Sequence, residues 1–74
     1  MPRLPSITAK DLIRVLESIG FEAVRQRGSH VRLKHSDGRV VSVPVHSGRD
    51  IGRGLLRKIL RDAELTPDGL LELL

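Results

Sequence analysis

His30 follows a Gly28-Ser29 pair, and Arg25, Arg27, Arg32 and Lys34 stand at every second position around that pair. Alternation by two is the strand period, so a hairpin turning at Gly28-Ser29 puts the imidazole and four cations on one face. An unperturbed imidazole, with a pKa of about 6.5, can take the proton from a ribose 2′-OH as it attacks phosphorus, or give one to the leaving oxygen. The arginines would hold phosphate oxygens and offset the charge that grows on them. The chemistry that these residue types suit is phosphodiester cleavage in RNA, with His30 as the acid-base residue.

The other histidines carry less. His46 falls two residues beyond Pro44, the expected cross-strand neighbour of His30, so both rings can share a face at roughly 7 Å, His46 as an auxiliary acid or base. Ser29 is a second auxiliary candidate, and Gly28 is the turn residue. Taken alone, an exposed hairpin histidine is more commonly a solvated side chain than a catalyst, and His35 points to the core side as a structural residue. Three histidines without cysteine, and without two on one helix turn, give no metal-binding spacing, so metal independence is expected. The glycines match neither phosphate-loop nor dinucleotide patterns, and no cofactor is expected.

The elements that must position His30 are legible. Thr8 caps a first helix with the apolar stripe Leu12, Ile13, Leu16 and Ile19, and Gly20 supplies the left-handed residue that ends it. Three short antiparallel strands follow. A two-residue type II′ turn at Gly28-Ser29 pairs Arg27 with His30 and Arg25 with Arg32, and sets Val24 beside Leu33. A three-residue loop of Ser36, Asp37 and Gly38 pairs Leu33 with Val41 and Val31 with Val43. The expected core face holds Val24, Val31, Leu33, Val41, Val43 and Val45. Ser42 and His46 join the cations on the other.

A second helix shows in Leu55, Leu56, Ile59, Leu60 and Ala63, its start left open between Asp50 and Arg53 by Gly52 and Gly54. Arg53, Arg57 and Arg61 recur at i+4 on its exposed side, with Lys58 beside them. Arg53, Arg57 and Lys58 join Arg25, Arg27, Arg32 and Lys34 as candidate RNA-binding residues, although a solvated helix face is the commoner meaning of such a stripe. Thr66 caps a short last helix with Pro67 in its first position, and Leu65 can staple to Leu70. The expected fold is α+β in one domain over residues 1–74: helix, three-stranded antiparallel sheet, helix, short C-terminal helix.

Thirteen Lys and Arg against nine Asp and Glu give a net charge of +4, which favours an anionic partner. Phe21 is the lone aromatic residue, so the chain cannot build the stacking platform with which single-strand binders hold splayed bases, and recognition through backbone and shape remains. With no cysteine, a reducing cytoplasm suits it. Met1-Pro2-Arg3-Leu4-Pro5 lacks an apolar signal region, and no stretch is long enough to span a membrane.

Three segments, Arg27-Gly28-Ser29-His30, Val43-Pro44-Val45-His46-Ser47-Gly48-Arg49 and Gly54 to Ala63, in this order after an amphipathic helix ending in Gly-Phe, resemble the HicA toxin family over nearly the whole chain. The resemblance implies a double-stranded-RNA-binding-domain-like fold, cleavage of mRNA that stops translation, and a HicB-like antitoxin partner. The family's catalytic histidine follows the Gly-Ser pair and maps onto His30. Glu64 departs from the pattern, where glycine commonly follows the helix. Two other functions fit the same sequence: a double-stranded-RNA-binding module without cleavage, and a degenerate toxin that keeps only antitoxin binding. Whether the Leu-rich C-terminus covers the core or joins copies as a homo-oligomer is left open.

Overall fold

The capping signals act where the sequence puts them. In the computed structural model, which describes residues 4–74, the Thr8 hydroxyl accepts the Asp11 N–H at 3.3 Å and opens helix α1, Ala9–Ser18. Gly20, at φ +104°, ends it. Strands β1 (Phe21–Arg27), β2 (His30–His35) and β3 (Val40–Pro44) form an antiparallel sheet in that order. Helices α2 (Arg53–Asp62) and α3 (Pro67–Leu73) follow, so the layout is the expected α+β one. Gly52 is the N-cap of α2, which settles its open boundary, and the Thr66 hydroxyl caps α3 by accepting the Gly69 N–H.

The first turn has Gly28 at φ +58° and Ser29 outside the left-handed region, the pattern of a type II′ turn. In the second, the His35 N–H donates to the Arg39 carbonyl at 2.9 Å, closing the three-residue loop with Gly38 at φ +99°. Val31 then faces Val43 and Leu33 faces Val41. All four are buried, with Leu12, Leu16, Leu56 and Leu70 among the side chains that complete the core.

Val24 does not join that core. It is 55% exposed, because a bulge between Ala23 and Arg25 leaves it unpaired and sets Ala23 opposite Leu33. The cause is a conflict of period. In a regular strand Phe21 would share the face of Arg25 and Arg27, and one extra residue puts Phe21 on the core side while both arginines stay outside. Phe21, with more apolar area than valine, is 2% exposed. Leu55, expected in the apolar stripe of α2, is 38% exposed at its margin, in the first turn of the helix just after Gly52 and Gly54. Leu70 is buried, whereas Leu71, Leu73 and Leu74 face outward. Of the N-terminal segment read as lacking a signal region, Met1, Pro2 and Arg3 lie outside the described residues.

The connections sort the ends of the elements. The Ile51 N–H donates to the Ile7 carbonyl, and the Val45 N–H to the Ser29 carbonyl, so the segments leading into α1 and α2 lie at the end of the sheet that carries the first turn. At the other end, His35 Nε2 is 3.2 Å from the Ile19 carbonyl and Arg39 donates through Nη1 to the Ala63 carbonyl. Both helices therefore aim their positive N-terminal ends toward the Gly28-Ser29 end and their negative C-terminal ends toward the second turn.

Candidate RNA-binding and active-site face

Because Val31 and Leu33 point into the core, their neighbours His30, Arg32 and Lys34 point out. The ladders place Arg27 opposite His30, Arg25 opposite Arg32, Ser42 opposite Arg32 and Pro44 opposite His30. Arg25, Arg27, His30, Arg32 and Ser42 line one shallow concavity of about 170 Å³. His30 is exposed at its rim. The turn that delivers it is braced twice: the Gln26 side-chain amide donates to the Gly28 carbonyl at 3.4 Å, and the Ser29 carbonyl takes the Val45 N–H.

Charge in this concavity is uncompensated. Among the described residues the ion pairs of Lys and Arg are Arg39–Asp37 and Lys58–Asp62, and neither involves Arg25, Arg27 or Arg32. Three guanidiniums at close range, open to solvent and without a carboxylate, make a ready site for an anion with several oxygens.

The remaining candidates are spread out. Lys34 pairs across the ladder with Glu22 and borders a different depression with Gly20, Val24 and His35. His46 is exposed in the turn closed by the Arg49 N–H on the His46 carbonyl, and does not line the concavity. Arg53 opens α2 at the first-turn end. Arg57 borders an apolar groove with Leu60, Leu65 and Pro67 on the helical side, the face of the sheet opposite His30. Lys58 is held by Asp62 at 2.8 Å. The structure thus brings together Arg25, Arg27, His30 and Arg32, and adds Ser42. The alternation of β3, with Val41 and Val43 inward, was the signal for that serine.

His35 does structural work. Its Nδ1 accepts the Asp37 N–H at 3.1 Å, so Nε2 carries the proton and donates to the Ile19 carbonyl. The ring meets Phe21 edge-on at 5.2 Å, and the Arg39 guanidinium lies over the same Phe21 ring, 5.1 Å from its centroid. Arg39 Nε also donates to both Asp37 carboxylate oxygens, at 3.0 and 2.8 Å. Those hydrogen bonds, chiefly the side-chain ones, hold the Asp37 carboxyl below its ordinary value of 3.8.

A family model described as the HicA toxin of bacterial toxin-antitoxin systems matches residues 9–65, from the first residue of α1 to just past α2. The chain belongs to the HicA toxin family. A search of curated proteins returns no match. The HicA match takes in the whole concavity, both turns and the Ala9 to Leu65 framework that supports them. Membership makes the chain a toxin of a toxin-antitoxin pair and implies an antitoxin partner. Among the described residues, no helix is long and apolar enough to cross a membrane.

Proposed function

We propose that this HicA-family toxin is a metal-independent endoribonuclease that cuts mRNA in the cytoplasm and so arrests translation. The observation that supports this most is the concavity in which an exposed imidazole, His30, shares a surface with three guanidiniums that have no carboxylate partner among the described residues.

The reaction follows from those groups. Arg25, Arg27 and Arg32 bind non-bridging oxygens of one phosphodiester. His30 takes the proton of the adjacent 2′-OH, the 2′ oxygen bonds to phosphorus, and the bond from phosphorus to the 5′ oxygen breaks. The 5′ oxygen takes a proton from water, which reaches this open face, and His30 returns its own to solvent. The products are a 2′,3′-cyclic phosphate and a 5′-hydroxyl. Gly28 and Ser29 set the turn that aims His30, Lys34 and Arg53 extend the RNA track, and His46 is at most an accessory. Phe21 is buried, so it offers no aromatic platform for bases, and the substrate is read by backbone and shape. A HicB-like antitoxin holds the toxin in check.

Expression in growing bacteria tests the reading. Wild type should stop growth and leave transcripts with new 5′-hydroxyl ends, and His30→Ala should do neither. Growth arrest by His30→Ala equal to that by wild type would sink the catalytic assignment and favour RNA binding without cleavage.

A further inference from the structure

Apart from His30, Ser42 is the one side chain lining the concavity that brings a hydrogen-bonding group without a positive charge. Its neighbours Val41 and Val43 are 2% and 0% exposed, which turns Ser42 outward. It pairs with Arg32 while His30 pairs with Pro44, so Ser42 and His30 are diagonal neighbours on one face of adjacent strands. Such neighbours stand roughly 7–8 Å apart, a gap that one phosphate group spans with oxygens in reach of both. No hydrogen bond within the described residues engages the Ser42 hydroxyl.

We infer that Ser42 is a further catalytic residue, its hydroxyl donating a hydrogen bond to a non-bridging oxygen of the scissile phosphate. The inference rests on the ribonuclease reading given above. As the 2′ oxygen attacks, negative charge accumulates on the non-bridging oxygens, so this bond strengthens between ground state and transition state. A hydroxyl adds a donor without adding to the repulsion between Arg25 and Arg32, which face each other beside it. Ser42 keeps its proton and forms no covalent bond throughout. The arginines supply most of the affinity, and the serine acts on the rate.

Single-turnover cleavage of a structured mRNA at saturating protein tests this, alongside binding of the same RNA made uncleavable by 2′-O-methylation. Ser42→Ala and Ser42→Val should cleave roughly 10- to 100-fold more slowly, up to the lower limit of the roughly 100- to 1000-fold that loss of one oxyanion donor costs in an enclosed site. Their Kd for the blocked RNA should stay within about twofold, while Ser42→Thr, which keeps the hydroxyl, should cleave near the wild-type rate. Valine suits an outward strand position, so that variant keeps the fold. Wild-type rates in Ser42→Ala, a loss confined to Kd, or a Thr variant as slow as Ala would each overturn the role of Ser42 while leaving cleavage intact. If wild type itself cuts nothing, the ribonuclease reading fails and Ser42 with it.

Discussion

Arg25 stands directly opposite Arg32 across the β1–β2 ladder, with no carboxylate within ion-pair distance of either among the described residues. Like charges at facing positions destabilise a sheet by a few tenths to about 1 kcal/mol. The fold therefore carries a cost at the surface assigned to RNA. Arg32→Thr should raise stability by about 0.5 kcal/mol in urea unfolding and at the same time weaken RNA binding at least severalfold. Added salt should close the stability gap by screening the pair. A variant less stable than wild type, with RNA affinity unchanged, would contradict this.

Gly20 is fixed by conformation and by space. Its φ is +104°, and a Cβ there would lie 2.7 Å from His35 Nε2, the atom that bonds the Ile19 carbonyl. Gly20→Ala should lose roughly 2–3 kcal/mol, about 1–2 from the left-handed backbone and the rest from the displaced His35 hydrogen bond. Gly48→Ala, at φ +74° with open space around it, should cost only the backbone share, about 1 kcal/mol. Equal urea midpoints for the two variants would refute the role given to His35.

Much of the framework could be read from residues alone, because it rests on local rules. Val31, Leu33, Val41 and Val43 alternate, and that alternation together with two Gly-containing turns sets the register that puts His30 opposite Pro44. Val24 escaped the same rule because the bulge answers a global demand, the burial of Phe21, which a local pattern does not express. Arg39 was equally hidden. It joins residues 24 positions apart when it donates to the Ala63 carbonyl, and no spacing in the sequence marks that contact. For the candidate site, alternation identified the side chains that share the outward face. Their grouping into one concavity, with Lys34 and His46 outside it, depends on sheet geometry.

Glu64 is the one non-glycine residue with positive φ among the described residues, at +57°. The Leu65 N–H donates to the Leu60 carbonyl and the Glu64 N–H to the Arg61 carbonyl, the two bonds of a Schellman ending for α2. A glutamate there bears left-handed strain and puts a carboxylate at the negative end of the helix. Glu64→Gly should stabilise the protein by about 1 kcal/mol, read as a higher urea midpoint with unchanged slope. A lower midpoint would show that the carboxylate has a favourable partner.

Asp37 links the second turn to Arg39, and its carboxyl is held below the ordinary value of 3.8. A carboxyl depressed in the folded state stabilises the fold above its unfolded value, and loses that contribution as pH falls through its folded value. The group is exposed, so the effect is small and screened. Asp37→Asn should therefore be less stable than wild type at pH 7, and the difference should vanish as the pH drops below 3.8. A difference that persists unchanged at low pH would mean that the pair with Arg39 contributes nothing.

The most direct measurement is incubation of the purified protein and its His30→Ala variant with a structured mRNA in excess chelator, read on a denaturing gel beside a gel-shift of the same samples. Wild type should cut, and His30→Ala should shift the RNA without cutting it. Equal cleavage by both proteins, or cleavage by neither, would contradict an acid-base role for His30 on this cationic face.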